Sequence, residues 1–494
     1  MEKNFESELF FKDTLKKQAE KQYILVGLGP HAKRIYYPFL EKYQKKYGIR
    51  LRLLIELDSQ QNILNKFITS RKLKPQEVFL IKDNENNRLG RAIDKSLLAK
   101  LNHLISKEKI DGIIISTEPK SHKIYANWAM KNNINILMDK PITAPIDPIT
   151  NPSSARKIFS DYQDLKKSKE NSKSRFYIVC QRRNHLGFSF VKDYLQKFVS
   201  EFQIPISYIG IYHSDGTWNL PHEFEKENHP YKYGYGKLMH SGYHCIDLFA
   251  WISEVNNSLK DRKANCAQIY TSKFRPNDFF NQLNIDNYKN FFGNTEIQKF
   301  YENYDRNDYE KYGEIDAYIL GQLMQDQNVI TTASIILQQN TFSRRAWFDL
   351  PEDTYKGNGR LRHERVNIYV SQFLNIQIHS YQSYEAGHKD KEIEGVGNED
   401  HFDIYIFRNS KVIGGKSFEK IAMGESMRQQ NLNDEHYLGH NEKGREATLV
   451  NFLKDSCDNS EFENHELTNK LLSNIYLSMA KEFCSGNSQL TFKL

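Results

Sequence analysis

The sequence has few cysteines and no long apolar run. Its five cysteines are scattered through 494 residues without a CxxC pair, at positions 180, 245, 266, 457 and 484. This spacing argues against a disulfide framework and a zinc site. No stretch approaches 18 uninterrupted apolar residues, and residues 1–20 mix acids with bases, so neither a membrane span nor a signal peptide is expected. We therefore expect a cytoplasmic protein with reduced thiols that needs no membrane.

The chain also lacks a strong charge of one sign. Its 69 Lys and Arg stand against 62 Asp and Glu, which gives a net charge of +7 without a dense basic stripe. A nucleic-acid partner is therefore not expected. Hydrophobic residues make up 39% of the sequence, with 30 Phe and 29 Tyr, which is enough for sizeable cores. At about 100–200 residues per domain, the length allows two to four domains.

The chain has two parts with different hydrophobic patterns. Up to residue 181, short and continuous apolar runs alternate with helical stretches, which favours a parallel sheet with both faces covered. These runs are 23–29, 51–58, 77–83, 110–117, 133–139 and 175–181. From 182 onward, segments of period two predict a mostly antiparallel sheet with helices on one face. They include 206–215, 328–339, 366–381 and 402–409, followed by predicted closing helices at 444–456 and 467–483.

We therefore predict an α/β domain followed by an α+β domain. Residues 1–20 form a helical extension, residues 21–181 a Rossmann-type domain with a parallel sheet, and residues 182–494 an open-faced sheet domain. The stretch 272–312, rich in Asn, Phe, Asp and Tyr, is expected to be an insertion in the second domain.

The motif GLGPHA (27–32) follows the first predicted strand and opens a helix. Gly27 permits a tight turn, Gly29 lets the backbone approach a pyrophosphate, and Ala32 allows close helix packing. Glu56 closes the second strand, where an acidic side chain accepts hydrogen bonds from ribose hydroxyls and repels a 2′-phosphate. This pattern favours NAD over NADP, although Glu56 could instead be an exposed acid at a strand end.

A second motif combines TEPKSH (117–122) with MDKP (138–141) at the ends of two further strands. The carboxyl ends of parallel strands face the crevice in which such sheets bind ligands. Lys140 could therefore stabilise a developing alkoxide on a substrate. On spacing alone, a loop lysine in solvent is as good an interpretation.

The third motif is GYGKLMHSGYHCID (234–247), a glycine-rich turn that enters a helix. His240 and His244 lie at i,i+4 and project from one face. A histidine is the usual general acid or base for a hydroxyl group beside a hydride donor. A structural pair is the alternative, and no metal is predicted, because no third ligand is evident.

In this order, the motifs resemble the Gfo/Idh/MocA family of NAD(P)-dependent oxidoreductases, most strongly over 21–145 and 175–255. The resemblance implies that Gly27 and Gly29 bind the cofactor pyrophosphate and that Lys140 is the active-site lysine. His244 would be the proton-transfer residue. Two positions depart from the family pattern: Asp139 stands where glutamate is usual, and His240 stands where an aspartate is common.

The resemblance completes a set of candidate site residues. The predicted catalytic residues are Lys140, His244 and His240. The predicted cofactor-binding residues are Gly27, Gly29, Pro30, His31, Ala32, Glu56, Thr117, Pro119, His122, Asp139 and Lys140. The predicted substrate-binding residues are Arg182, Arg183 and Asp247.

The expected activity is hydride transfer between nicotinamide and a carbinol or ketone carbon of a sugar, cyclitol or sugar derivative. NAD is the expected cofactor, NADP is the alternative, and a homodimer or homotetramer is the expected assembly. Two other functions stay open: a glycoside hydrolase that retains its NAD, and a non-enzymatic dinucleotide-binding regulator. A group of basic residues, Arg344, Arg345, Arg360, Arg362 and His363, could bind an anionic substrate. Salt bridges at strand edges or an oligomer interface are the favoured explanation of this group.

Overall fold

The computed structural model describes residues 20–494 except 220, 228, 294–307, 344–360, 384–400, 433, 435–436 and 438. The first sheet has six parallel strands in the order β3-β2-β1-β4-β5-β6. They are β1 (Lys21–Val26), β2 (Ile49–Leu57), β3 (Glu77–Ile81), β4 (Gly112–Ile115), β5 (Asn135–Asp139) and β6 (Phe176–Val179). This is the strand order of a dinucleotide-binding sheet, so the predicted Rossmann fold is confirmed.

Helices cover both faces of this first sheet. They are α1 (Pro30–Arg34), α2 (Tyr36–Tyr47), α3 (Gln61–Thr69), α4 (Glu85–Arg88), α5 (Lys95–Lys107), α6 (His122–Lys131) and α7 (Pro152–Glu170). Successive side chains of each strand enter two separate cores. Ile24 and Ile113 face one core, whereas Leu25 and Ile114 face the other. Burial on both faces explains why the strands are continuous apolar runs in the sequence.

The second sheet has nine strands in the order β14-β13-β12-β11-β7-β10-β9-β8-β15. They are β7 (Tyr208–Gly216), β8 (Cys266–Phe274), β9 (Asp316–Gln325), β10 (Asn328–Gln338), β11 (Leu361–Val370), β12 (Leu374–Ser383), β13 (Asp403–Arg408), β14 (Phe418–Ala422) and β15 (Leu490–Lys493). Every paired neighbour is antiparallel except β7 and β10, which run parallel. The predicted mostly antiparallel sheet is confirmed.

The remaining helices are α8 (Leu186–Phe202), α9 (Tyr243–Ser253), α10 (Pro276–Gln282), α11 (Ile285–Phe292), α12 (Ser410–Ile413), α13 (Met423–Gln430), α14 (His440–Lys454) and α15 (Glu466–Ser485). The largest core of the chain joins residues of α8, α9 and α15 to alternate side chains of the second sheet, such as Val366 and Ile368. In the part of the chain that the structure describes, these helices pack on one face of the sheet and leave the opposite face uncovered. The two closing helices lie close to their predicted positions.

The C-terminal part of the chain returns to the first sheet. Phe452 of α14 lies in the same core as Leu25 and Ile114, and Phe462 stacks on Phe176 at a ring separation of 4.7 Å. The predicted domain boundary at 181/182 stays a prediction, since residues on both sides of it build the core of the first sheet.

Three segments differ from the sequence prediction or lie at least partly outside the described residues. The stretch 366–381 is two strands joined by a turn at Ser371, whose φ is +50°, and not a single strand. In the stretch 272–312, β8 extends to Phe274, α10 and α11 follow, and 294–307 lies outside the described residues. Residues 1–19 of the predicted N-terminal helix lie outside them too.

Candidate active site

The glycine-rich loop joins β1 to α1. Gly27 has a φ of +84°, and a Cβ atom there would lie 2.5 Å from the carbonyl oxygen of Ser116 on the neighbouring strand end. Only glycine meets both conditions without strain. A Cβ atom on Gly29 would enter open space, and Gly29 precedes Pro30, the first residue of α1. Ala32 is fully buried, so the helix packs closely on the sheet.

Glu56 lies beside this loop. Its carboxylate accepts hydrogen bonds from the backbone N–H of Leu28 at 2.6 Å and of Leu57 at 2.8 Å. The acidic group therefore lies at the carboxyl end of β2 and next to the turn between the two glycines. This is the position that the sequence pattern requires for a ribose contact.

The segments that follow β4 and β5 are tied together by His122. Its Nδ1 lies 2.9 Å from the carbonyl oxygen of Pro141, and its Nε2 lies 3.0 Å from that of Thr117. Burial lowers the pKa of His122 to about 4, and a neutral ring, with a single N–H, donates to one of these two carbonyl oxygens and packs against the other. Pro119 begins the short turn that leads from Thr117 into α6. The His122 side chain thus lies between the two loops and contacts both of them.

Asp139 ends β5 and receives several donors. Ser116 Oγ donates to it at 2.8 Å, Tyr36 donates its hydroxyl group, and the His31 Nε2 atom lies 3.6 Å away. Burial raises the pKa of Asp139, although the hydrogen bonds from Tyr36 and Ser116 and the charge of Lys140 oppose the shift. Asp139 thus ties the strand end to the first helices.

Lys140 reaches across to the second half of the chain. Its Nζ donates to the backbone carbonyl oxygen of His240. Burial lowers the pKa of Lys140 to about 8, and the neighbouring Asp139 opposes this shift. The lysine is therefore held by its surroundings and is not the solvated loop residue of the alternative interpretation.

His240 and His244 lie on either side of the junction between a π-helical turn, Leu238–Gly242, and α9. Their rings have different partners. The His240 ring packs edge-on against those of His229 and Tyr231, at centroid separations of 4.9 and 5.3 Å. The His244 Nδ1 atom lies 3.3 Å from the Sγ of Cys180. Among the described residues, no group of three or more His, Cys, Asp or Glu side chains could hold a metal ion.

The three predicted substrate-binding residues lie in buried ion pairs. Arg182 binds Glu364 at 2.6 Å, and Arg183 binds Asp247 at 2.8 Å. Burial would raise the pKa of Asp247, but Arg183 and His465 outweigh it and hold that pKa well below its ordinary value. Since these charges are already paired, the geometry favours a structural role over substrate contact. The substrate assignment stays a prediction.

Several site residues were missed by the sequence reasoning. Lys120 lies 3.2 Å above the ring of Tyr233 and 3.9 Å from the carboxylate of Glu227. Burial lowers the pKa of Lys120 to about 8 and raises that of Glu118 to about 7. Both residues belong to TEPKSH. A pair of titratable residues at the end of a strand is the sequence feature that could have identified them as site residues.

A further missed residue comes from α14. Arg445 is buried, and its charge helps to lower the pKa values of His31, Lys140 and His244. Nothing in its local sequence marks it, because α14 lies some 300 residues after Lys140 in the chain.

The basic group in the second half is only partly described. Arg344, Arg345 and Arg360 lie outside the described residues. The Arg362 Nε lies 3.6 Å from the Asp215 carboxylate, and the ring of His363 packs edge-on against that of Tyr212 at 5.4 Å. Its proposed role with an anionic substrate stays a prediction.

Known proteins share this fold and part of this sequence. Residues 58–157 match the model of the Gfo/Idh/MocA oxidoreductase family, NAD-binding Rossmann fold. No curated protein matches the chain. Among the residues that the structure describes, none of the helices combines the length and the apolar character needed to cross a membrane.

Solved structures resemble the chain over almost its whole length. An aldose-aldose oxidoreductase from Caulobacter crescentus, complexed with glycerol, is 10% identical with a TM-score of 0.53, over 96% of this chain and 100% of that one. The WlbA dehydrogenase from Bordetella pertussis, in complex with NADH and UDP-GlcNAcA, is 10% identical with a TM-score of 0.53, over 97% and 99%. An Agrobacterium radiobacter oxidoreductase, in complex with NAD+, L-tartaric acid and magnesium, is 11% identical with a TM-score of 0.52, over 96% and 98%.

Over residues 58–157 the chain matches an enzyme class, the NAD-binding oxidoreductases with a Rossmann fold, and the solved structures share the fold of the chain over almost its whole length. Within that class, the predicted resemblance to the Gfo/Idh/MocA oxidoreductases is confirmed.

Proposed function

We propose that this protein is an NAD-dependent dehydrogenase or reductase that acts on a CH–OH group of a sugar, cyclitol or sugar derivative. The observation that carries this proposal is the contact between Lys140, at the end of β5, and the main chain of His240. It brings a buried ammonium group from the nucleotide-binding sheet to the turn that bears both candidate histidines.

The residues around the glycine-rich loop fit a dinucleotide. The open space over Gly29 and the absence of a side-chain cap at the start of α1 leave room for a pyrophosphate against the backbone. The Glu56 carboxylate lies beside the same loop. A 2′-phosphate would meet its negative charge, and this repulsion favours NAD over NADP.

The bound nicotinamide would supply the hydride acceptor or donor. This chain would supply the proton and the charge. His244 takes the proton of the substrate hydroxyl group, and the Lys140 ammonium group stabilises the charge that develops on that oxygen. Burial, followed by the charges of Lys140 and Arg182, holds the pKa of His244 well below its ordinary value. The ring is therefore neutral at pH 7 and able to accept a proton.

The substrate class rests on the solved structures of similar fold. One of them is an aldose-aldose oxidoreductase, and another holds a nucleotide sugar acid beside NADH. In this chain, the cationic groups of Lys120, Lys140 and Arg445 act on titratable residues of the candidate site. An anionic sugar derivative therefore belongs in the first set of candidate substrates.

Fluorescence titration with NADH and NADPH tests the cofactor assignment. We expect tighter binding of NADH, and NADPH binding at least tenfold tighter would refute the role of Glu56. A screen of cyclitols, aldoses and sugar acids at 340 nm then tests the reaction. Turnover of a glycoside without net NADH formation would instead indicate the NAD-retaining hydrolase.

We also propose that the chain forms a homodimer or homotetramer through the uncovered face of the second sheet. This face carries a groove of about 490 Å³ lined by Tyr208, Tyr212, Arg365, Asn367, Gln377 and His379. A two-fold axis would bring this face of one copy against the same face of a second copy, which is an isologous contact. A monomer by light scattering at micromolar concentration would refute this assembly.

A further inference from the structure

A buried thiol lies between the ring of the candidate base, His244, and the carboxylate of Asp247. Cys180 directly follows β6 and has no exposed surface. Its Sγ lies 3.1 Å from the Asp247 Oδ2 atom and 3.3 Å from the His244 Nδ1 atom. The three side chains thus form a continuous chain of contacts from carboxylate to thiol to imidazole.

The direction of the first hydrogen bond follows from the surroundings of Asp247. Its carboxylate receives Arg183 Nη2 at 2.8 Å, His465 Nδ1 at 2.9 Å and Thr468 Oγ1 at 2.8 Å. A carboxylate that is held ionised by so many donors can only accept. Cys180 must therefore donate its S–H to Asp247.

The second hydrogen bond is then fixed as well. A thiol has one proton, and Asp247 already receives it, so the sulfur can only accept from His244 Nδ1. His244 makes no other side-chain hydrogen bond among the described residues. Its Nδ1 therefore carries the ring proton, and its Nε2 is the nitrogen that can accept a proton.

We propose that Cys180 is a positioning residue that holds His244 in the Nδ1–H tautomer, so that Nε2 can receive the substrate proton. This inference rests on the proposed function. In the step it serves, the O–H bond of the substrate breaks and its electron pair stays on oxygen. The proton forms a new bond to Nε2, and Cys180 keeps its own proton throughout.

The arrangement also accounts for the histidine at position 240. The resemblance places a carboxylate there, four residues before His244, but in this chain the carboxylate is Asp247, three residues after it. The charged groups that act on His244 are Lys140, Arg182, Arg445 and Asp247. The three cations oppose an imidazolium, whereas the negative charge of Asp247 favours it.

Nitrogen NMR of the full chain, labelled with ¹⁵N-histidine, tests the tautomer without any substrate. Protonated and bare ring nitrogens have distinct shifts, and a His244→Gln variant assigns the signals. We expect Nδ1–H for His244 in the parent chain and in Cys180→Ser, which keeps a donor and an acceptor. In Cys180→Ala, at least half of the population should move to the Nε2–H form.

Cys245→Ala is the matched control. It removes an equally buried thiol from the residue next to His244, and we expect no change of tautomer. An Nε2–H signal in the parent chain would overturn the inference even if no Cys180 variant folds. An unchanged Nδ1–H signal in Cys180→Ala would overturn it as well.

Kinetics with a substrate from the screen separate this inference from the proposed function. Cys180→Ala should lower kcat at least tenfold and change KM less than twofold. The upper limit for the loss of kcat is the contribution of a positioned general acid or base, about 10²–10⁴-fold. It should also shift the acid limb of the pH profile downward, because the His244 imidazolium loses the sulfur that accepts from its Nδ1–H, whereas Cys180→Ser should restore both. If His244→Ala keeps full turnover, the proposed base is wrong. If it is inactive while Cys180→Ala matches the parent, only the role of Cys180 is refuted.

Discussion

Replacing Asp247 by asparagine separates a structural role from a substrate-binding one. The carboxylate and its partner Arg183 are both buried, at 0% and 1% side-chain exposure. Arg183 contacts the carboxylate through Nε at 2.9 Å and Nη2 at 2.8 Å. Asp247→Asn keeps the shape of the side chain but leaves the guanidinium charge without its counter-ion.

The size of the effect follows from this burial. Breaking a buried ion pair on one side destabilises a protein by about 3–5 kcal/mol. At about 2 °C per kcal/mol for a large domain, the melting temperature should fall by about 6–10 °C. The exposed pair of Arg50 with Glu20, at 47% and 56% exposure, is the matched control. Glu20→Gln should shift the melting temperature by less than about 2 °C.

The pH dependence gives the sign of the contribution. The folded-state pKa of Asp247 lies well below its ordinary value, and the value in an unfolded chain is about 3.9. The stabilisation is therefore fully present above that pH and is lost as the pH falls through the folded-state pKa. The difference in melting temperature between parent and Asp247→Asn should be constant from pH 5 to pH 8 and should narrow below pH 4.

Differential scanning fluorimetry across this range measures the effect. If Asp247→Asn melts within 2 °C of the parent but binds substrate more weakly, the ion pair is not the main role of Asp247, and the residue contacts substrate as the resemblance implies. The double variant Arg183→Met/Asp247→Leu provides a second check. Because it removes the unpaired guanidinium charge, it should recover part of the lost stability. Recovery should stay incomplete, because the buried donors of His465 and Thr468 lose their acceptor.

Three further predictions concern the crevice. Gly29→Ala should weaken NADH binding at least tenfold in a fluorescence titration with an unchanged melting temperature, since its Cβ would enter open space; equal affinity would place the pyrophosphate elsewhere. Glu56→Gln should raise the NADPH-to-NADH affinity ratio about tenfold, about 1.4 kcal/mol, and an unchanged ratio would contradict its ribose role. For Lys120, the folded-state pKa of about 8 lies below the unfolded value of about 10.4. The unfolded chain therefore binds more protons between these values, and stability rises with pH there. Lys120→Met should flatten the rise of melting temperature from pH 8 to pH 10, whereas exposed Lys66→Met should not; identical curves would refute the burial of the Lys120 charge.

The first sheet could be predicted almost entirely from the sequence. Burial on both faces makes each strand a continuous apolar run, as in LRLLIELD, and helices with regular spacing separate the runs. The second sheet was less predictable. The edge strand β14 reads FEKIA without clear alternation and is defined by its pairing with β13. The turn at Ser371 lacks glycine and asparagine, the usual signals of a left-handed residue, so the β11–β12 hairpin looked continuous.

The site divides in the same way. Gly27, Glu56 and Lys140 could be located because each lies at the carboxyl end of a strand of the parallel sheet, and such strand ends meet at one edge. The contacts of Cys180 with His244 and of Arg183 with Asp247 could not, because each joins the end of β6 to α9 across 64 residues of sequence. A motif shows which residue types are present, whereas their pairing depends on how the second sheet docks its helices against the first.

The histidine at position 240 departs from the family pattern, and its contacts show what this departure changes in the site. Lys140 contacts position 240 through the backbone carbonyl oxygen, so this contact does not depend on which side chain stands there. The His240 ring itself packs against His229 and Tyr231. A residue type that departs from the family pattern can thus leave the position of the lysine unchanged, because the turn supplies a main-chain acceptor and the carboxylate near His244 comes from Asp247. The position of Lys140 therefore depends on the geometry of the turn before α9. The side chain at position 240 packs instead against the aromatic rings around it.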